Sequence, residues 1–447
     1  METVFYLINI FNLFLLANLI IIIRKFYMIL RSVLLGSIFS VILVSCNNKA
    51  SNNASNQKDE VASDCKNEIR GGFDIGSGST KLQIASVKVC KNGDITIEKS
   101  YFKKNANVQY AQDLKDSKST KLSDEIIKKG VEAMTKLKED GLAKLAKECG
   151  ASCSVTSWRG IMTAAFRDAT TNWRDAKKEL SKVSDGLVIK RLDQDEEALY
   201  GFYPVIKLKG IEPQNSVIWD MGGGSTQITA FDKDFKMSDD FVPTGSYSIK
   251  TSIGSSYSKD LKGSDSTFNP IITHETQASN IVNDAIEAEI KKDELKFKDF
   301  FLNGKKYYVI GGILSRAIPA IAKGDGYSPD FKVFNYDQIQ NASIIKPLSL
   351  TNIDTYFNDV KNLDDNKIAK FLVDKKIYSS EDVKDKDTLD RMIATSSNLL
   401  LTKLYMENKN LKIENIYPIV IDGSDTLMIS PKFEDVKYWN YDNIEKK

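Results

Sequence analysis

Histidine is almost missing from this chain: His274 is the only one in 447 residues. A multi-histidine zinc site is thereby excluded within one chain, and a His-based triad would have to rest on this one residue. Net charge is almost missing as well. Lys and Arg number 62 against 60 Asp and Glu, a balance of +2, so no global field draws in duplex nucleic acid or other polyanions. The Gly-Lys-Ser/Thr of a Walker A loop does not occur. Chemistry is left to carboxylates, hydroxyls and backbone N–H groups, and an anionic ligand must be held by local donors or by a metal. With 42% apolar and 27% charged residues the composition is that of a folded globular protein. The length exceeds one ordinary core and predicts two domains.

The N-terminus carries an address. After Met28-Ile29-Leu30-Arg31 comes an apolar run, Val33 to Val44, then Ser45-Cys46. A charged start, a short apolar core and small residues form a secretory signal peptide. Leu43-Val44-Ser45-Cys46 resembles the bacterial lipobox, in which the cysteine becomes the acylated first residue. Several acyl chains on Cys46 give stable anchoring, each buried methylene adding roughly 0.8 kcal/mol. The alternative is a plain transmembrane helix with an incidental cysteine. Val4 to Ile23 is itself long enough to span a bilayer, interrupted by Asn9, Asn12 and Asn18, so the start is either Met1 or Met28. Residues 47–64 are polar and aperiodic and read as a flexible tether. Four further cysteines remain. Cys65 and Cys90 bracket the first predicted hairpin, and Cys149 and Cys153 could close a small loop; export favours disulfides, with four buried thiols as the alternative. The expected divisions are 1–45 (hydrophobic segment and signal peptide), 46–66 (tether), 67–205 and 206–447 (two domains).

Folding is predicted to begin near Ile69. A strand through Gly71–Ile75 leads to a glycine-serine turn, a strand at Leu82–Val89 and a third at Asp94–Lys99. Apolar residues at three-to-four spacing predict a helix over Ser123–Glu148. A strand at Ser154–Ser157, a helix over Thr163–Arg174, a strand at Val188–Leu192 and a helix from about Asp195 follow. At Ser216 the opening pattern restarts: strand Val217–Asp220, a glycine-serine turn, strand Gln227–Phe231. Asp74-Ile75-Gly76-Ser77-Gly78-Ser79-Thr80 and Asp220-Met221-Gly222-Gly223-Gly224-Ser225-Thr226 thus form an internal repeat, placing a comparable loop in each domain.

In each loop an acid ends a buried strand, glycines turn backbone N–H groups toward one point, and hydroxyls follow. Converging N–H groups make a nest for phosphate oxygens, with Ser and Thr as further donors. Asp74 and Asp220 are placed to hold a hydrated Mg²⁺ or another divalent cation. One loop alone could be an ordinary hairpin turn; two headed by Asp point to a ligand.

Together with Thr163–Ala169, Asp195-Glu196-Glu197-Ala198, Pro243–Ser246 and Val309-Ile310-Gly311-Gly312, these loops line up in order. The chain resembles the exopolyphosphatase/guanosine-pentaphosphate phosphohydrolase (Ppx/GppA) family, within the superfamily of actin, sugar kinases and Hsp70, over roughly Gly71 to Gly312. The resemblance implies an α/β fold of two ribonuclease-H-like, actin-like domains with the site in the cleft between them. It implies metal-assisted hydrolysis of a terminal phosphoanhydride of polyphosphate or guanosine pentaphosphate. It assigns Glu197 as general base, Arg167 as a cation facing the phosphate chain, and Gly311 and Gly312 as a later phosphate-binding turn. The bland reading of Glu196 and Glu197 is that both favour a helix N-terminus electrostatically. The chain departs from the family pattern at Gln227, where an acid is common, at Gly78, commonly Asn, and at Thr80, commonly apolar. Gly-Gly-Gly-Ser-Thr-Gln-Ile is similar to the ecto-apyrases, in which Ser and Gln position the nucleophilic water. An apyrase-like nucleotide hydrolase and a non-catalytic phosphate-binding lipoprotein are therefore the rival expectations, and a homodimer is left open.

Asn47 after the lipobox cysteine resembles the sorting signal for the periplasmic face of an outer membrane. The mature chain is expected to begin at Cys46 and to partition into detergent. Palmitate labelling should be lost in Cys46→Ala; a mutant that still takes up label removes the anchor.

Overall fold

The computed structural model describes residues 65–440, with its longest interruptions at 252–270 and 319–346, shorter ones at 92, 209–210, 223–224, 238–242, 293–304, 312–317, 376–394 and 420 (isolated positions within the ranges 293–304, 312–317 and 376–394 being described), and side chains of 231–251 left out. Cys46, the signal segment, Gly223, Gly224 and Gly312 lie outside the described residues. Among the described residues no helix is long and apolar enough to cross a membrane.

The first sheet grows from a hairpin of β1 (Cys65–Ile75) and β2 (Ser79–Cys90), paired from Cys65↔Cys90 to Ile75↔Thr80. A Cys65–Cys90 disulfide closes its open end, and Cys149–Cys153 are bonded as well. β3 (Ile95–Asn107) adds antiparallel to β2, while β4 (Ser157–Met162) and β5 (Val188–Arg191) add parallel on the other side, giving the order β3-β2-β1-β4-β5. The connection to β4 carries α1 (Tyr110–Ser117) and α2 (Asp124–Cys149). The Ser123 hydroxyl accepts the Ile126 N–H at the start of α2, and Ile126, Ile127, Met134, Leu137 and Leu145 form its buried stripe. These residues close one core against Phe73, Leu82 and Ile84 of the sheet.

Two expectations shift here. The strand foreseen at 154–157 begins only at Ser157, because Arg159 in its middle disguises a buried strand as a polar one. The helix foreseen over 163–174 is two, α3 (Ala164–Asp168) and α4 (Trp173–Ser181). Between them the Asn172 carboxamide bonds both backbone groups of Leu122, each at 2.9 Å, fixing the break.

The second sheet repeats the topology. β6 (Ser216–Met221), β7 (Thr226–Met237) and β8 (Pro243–Thr251) form the antiparallel meander, and β9 (Lys306–Ile310) and β11 (Asn415–Pro418) add parallel. A two-residue β10 (Leu348–Ser349) lies at the edge, giving β10-β11-β9-β6-β7-β8. Its core is filled from α6 (Ile271–Lys292), α7 (Leu350–Val360), α8 (Asp365–Asp374) and α9 (Thr395–Glu407).

Each half lends the other a helix. α5 (Gln194–Ile206) follows β5 yet packs on β6, β7 and β8; α10 (Gly423–Ile429) follows β11 yet packs on β1 and β2, and the two helices touch. Both begin with a capping box, Asp193 with Glu196 and Asp422 with Asp425. The final helix, α11 (Val436–Asn440), lies on β5, so the C-terminal segment belongs to the core of the first sheet. Two arginines clamp it there. Arg70, 2% exposed, donates to the Met428 and Ser430 carbonyls at 2.6 and 3.1 Å and pairs with Glu68. Arg159 donates to the Phe433 carbonyl at 2.7 Å, and both guanidinium groups lie against the Phe433 ring.

Arg70→Ala would take its donor from the buried Met428 carbonyl and leave Ser430 with the Phe433 N–H and Glu68 with the exposed Lys66. A loss of about 2–5 kcal/mol in urea unfolding is expected, against about 0.5 kcal/mol or less for the exposed Lys144→Ala. Equal losses for the two would remove the clamp.

Candidate active site

Asp74 and Asp220 occupy the same place in the two halves, one residue before the end of β1 and of β6. Their register partners are Lys81 and Gln227. The loops that follow close with the same bond: the Gly76 N–H donates to the Ser79 carbonyl at 2.9 Å, and the Gly222 N–H to the Ser225 carbonyl at 3.0 Å. The repeat read from sequence is therefore a repeat of backbone geometry.

That geometry narrows the set of phosphate donors. The N–H groups of Gly76 and Gly222 are committed to the turns, and Thr80 and Thr226, at 0% and 1% exposure, face the core. The Ser77 hydroxyl accepts the Ala165 N–H at 3.1 Å and so holds the start of α3. Gly78 and Ser79 are the partly exposed residues left at the tip of the first loop. The Gln109 carboxamide covers Gly78 on one side.

α5 separates its two adjacent glutamates. The Glu196 carboxylate accepts the Asp193 N–H at 3.1 Å and pairs at 3.1 Å with Lys190, which is 1% exposed. Burial pushes its carboxyl up, and Lys190 offsets this. Glu197, about 100° further round the helix, turns to the loops instead and accepts a short hydrogen bond from Arg167 Nη1 at the end of α3. The other arm, Nη2, reaches Ser225 Oγ of the second loop at 3.4 Å, and Gln227 Nε2 donates to that same oxygen at 2.9 Å. Glu197, Arg167, Ser225 and Gln227 thus form one connected set across the two halves.

Glycines bring the rest close. A Cβ on Gly201, one turn beyond Glu197, would lie 3.1 Å from Asp220 Oδ2, and one on Gly423 would lie 3.1 Å from Asp74 Oδ2. Gly311 has φ +90°, and a Cβ there would lie 2.7 Å from Asp220 Oδ1; only glycine satisfies both demands. Gly311 thus serves as the floor under Asp220.

The electrostatics are those of a site short of positive charge. Burial pushes the Asp220 carboxyl up to about 7, with Glu197, Asp74 and Asp422 adding repulsion and Lys81 offsetting it. Burial also raises the Glu197 carboxyl, with Arg167 offsetting. Lys81 pairs with Asp74 at 2.8 Å. Asp422 pairs in turn with Lys103 at 3.4 Å, which leaves Asp74, Glu197 and Asp220 facing Lys81 and Arg167. Among the described residues no group of three or more His, Cys, Asp or Glu forms a cage for a metal.

Lys81, Asp422 and Gly423 escaped the sequence reading. Lys81 follows the first loop directly and could have been found as the strand partner of Asp74. Asp422-Gly-Ser-Asp425 repeats the spacing of the Asp193–Glu196 cap, a signal too short to stand out alone.

Residues 89–253 match the sequence model of the Ppx/GppA phosphatase family. No curated protein sequence matches the chain. Among solved structures, an exopolyphosphatase from Cytophaga hutchinsonii superimposes with a TM-score of 0.58 at 13% identity, covering 83% of this chain and 98% of that one. A Ppx/GppA family member from Aquifex aeolicus does so with a TM-score of 0.55 at 14% identity, covering 83% and 99%.

Because Asp220 holds its proton more tightly folded than unfolded, protonation favours the folded state. Stability in chelator should fall as the pH rises from about 4, the unfolded carboxylate range, through about 7. Melting temperatures at about pH 5 should exceed those at about pH 7.5, and Asp220→Asn should flatten the difference. A wild-type profile as flat as the variant's removes the strained carboxylate.

Over residues 89–253 the chain matches the Ppx/GppA phosphatase family model, and its α/β fold of two sheets is the one found in solved members of that family.

Proposed function

We propose that the chain is a phosphohydrolase that removes the terminal phosphoryl group from inorganic polyphosphate or guanosine pentaphosphate. The observation that carries this reading is the division of labour on α5. Glu196 is consumed by the helix cap and Lys190, while Glu197 is turned to the paired loops beside Arg167 and Ser225.

In this reading Glu197 orients a water and accepts its proton as the water oxygen attacks the terminal phosphorus. The bridging P–O bond breaks and its electrons leave with the shortened chain. Arg167 and Ser225 donate to the phosphoryl oxygens, and the first loop contributes from Gly78 and Ser79. Asp74 and Asp220 would hold the divalent cation, Mg²⁺ by the carboxylate-and-water chemistry of the set, which when bound neutralises charge on the phosphate oxygens. The mature chain would work outside the cytoplasm, anchored through Cys46. There a hydrolase needs only water, whereas a kinase would need a supply of ATP.

The buried Gln227 beside Ser225 favours a second reading, an apyrase-like hydrolase of nucleoside tri- and diphosphates. Phosphate release from polyphosphate, guanosine pentaphosphate, ATP and ADP, with and without Mg²⁺, separates the two.

Glu197→Gln should lower turnover by about 10²–10⁴-fold with KM little changed. Glu196→Gln should keep its turnover and instead lose about 1–3 kcal/mol of stability, because Lys190 loses its counter-charge. Full activity in Glu197→Gln together with loss in Glu196→Gln would reassign the base, full activity in both would place the base elsewhere, and a wild type that releases no phosphate would leave a binding protein.

A further inference from the structure

We infer that Ser225 is an obligate hydrogen-bond donor to the transferred phosphoryl group, and that Gln227 is the positioning residue that makes it one. The inference rests on the phosphohydrolase reading and specifies how the second loop meets the substrate.

A serine hydroxyl has one donor and two acceptor lone pairs. Ser225 Oγ accepts from Gln227 Nε2 at 2.9 Å and from Arg167 Nη2 at 3.4 Å. Neither the guanidinium nor the amide nitrogen can accept in return. Among the described residues these two contacts occupy both lone pairs, and the O–H is what Ser225 has left for a ligand. Gln227 is 2% exposed and held in register with Asp220, so its amide acts on the hydroxyl rather than on the ligand.

A carboxylate at 227 would reverse the arrangement. Having no proton to give, it would accept the Ser225 O–H and turn the hydroxyl's lone pairs toward the site. Gln or Glu at this position therefore decides whether Ser225 gives or takes a hydrogen bond. A donor suits a phosphoryl oxygen, which carries charge throughout the transfer. Arg167 holds this donor and the base together, with Nη1 on Glu197 and Nη2 on Ser225, in one rigid plane.

The test compares the wild type with Ser225→Ala, Gln227→Glu, their double variant, Gln227→Met and Ser225→Thr, on a phosphoanhydride and on its terminal phosphorothioate. Ser225→Ala and Gln227→Glu should each lower kcat by about 10²-fold with KM little changed. The double variant should be no slower than Ser225→Ala, since residue 227 then has no hydroxyl to orient. Gln227→Met, which neither gives nor takes a hydrogen bond, should fall between wild type and Gln227→Glu, and Ser225→Thr should recover most of the rate. Sulfur accepts hydrogen bonds poorly, so the oxygen-to-sulfur rate ratio should shrink in Ser225→Ala. Losses that multiply to about 10⁴ in the double variant, or a rate ratio unchanged by Ser225→Ala, would overturn the inference while leaving the hydrolase reading intact. A wild type that releases no phosphate from any substrate, with or without Mg²⁺, would overturn both.

Discussion

The site exists because two helices are anchored in one half of the molecule and packed on the other. α5 carries Glu197 from the end of the first sheet onto the strands of the second, and α10 makes the opposite crossing. Each can approach only because glycine stands where it meets an aspartate, Gly201 against Asp220 and Gly423 against Asp74. A side chain at either place would push a helix away from the carboxylate that ends the facing strand. The capping boxes at Asp193 and Asp422 fix where each crossing begins, so local hydrogen bonding sets the position of groups that act across the interface.

The second constraint is charge. Placing Asp74, Glu197, Asp220 and Asp422 within electrostatic reach of one another is destabilising. The protein offsets this with Lys81, Arg167 and, on Asp422, Lys103 rather than removing it. Such an imbalance is what a site for a dication and a polyanion requires, since the cation is attracted by the carboxylates and in turn attracts the phosphates. Arg167 is central to it, because its guanidinium connects the base on α5 to the hydroxyl of the second loop.

Much of this was legible in the sequence. The repeated Asp-x-Gly loops gave the two-fold architecture, and the three-to-four apolar spacing of residues 126–145 gave α2. The exchange of helices was not legible, because nothing local in Gly423–Ile429 says which sheet it covers. β4 was misplaced because Arg159 is a buried charge, satisfied by the Phe433 carbonyl 274 residues away. In the loops, residue types suggested donors at Gly76, Gly222, Thr80 and Thr226, but hydrogen-bond accounting assigns the first two to the turns and burial assigns the last two to the core. Of the two adjacent glutamates, only the helical offset together with Lys190 separates their duties.

The Cys65–Cys90 bond has a mechanical meaning. A pull applied to the chain ahead of residue 65 would act on the first residue of β1, and the register runs from that end straight to Asp74. Without a crosslink, tension would open the hairpin one rung at a time, each rung yielding under little force, until the loop was reached. The covalent rung at Cys65 transfers the load to β2 as well, so two strands carry it in parallel along their length. The far end of the same hairpin, where the aspartate and its loop sit, is thereby insulated from forces applied at the near end.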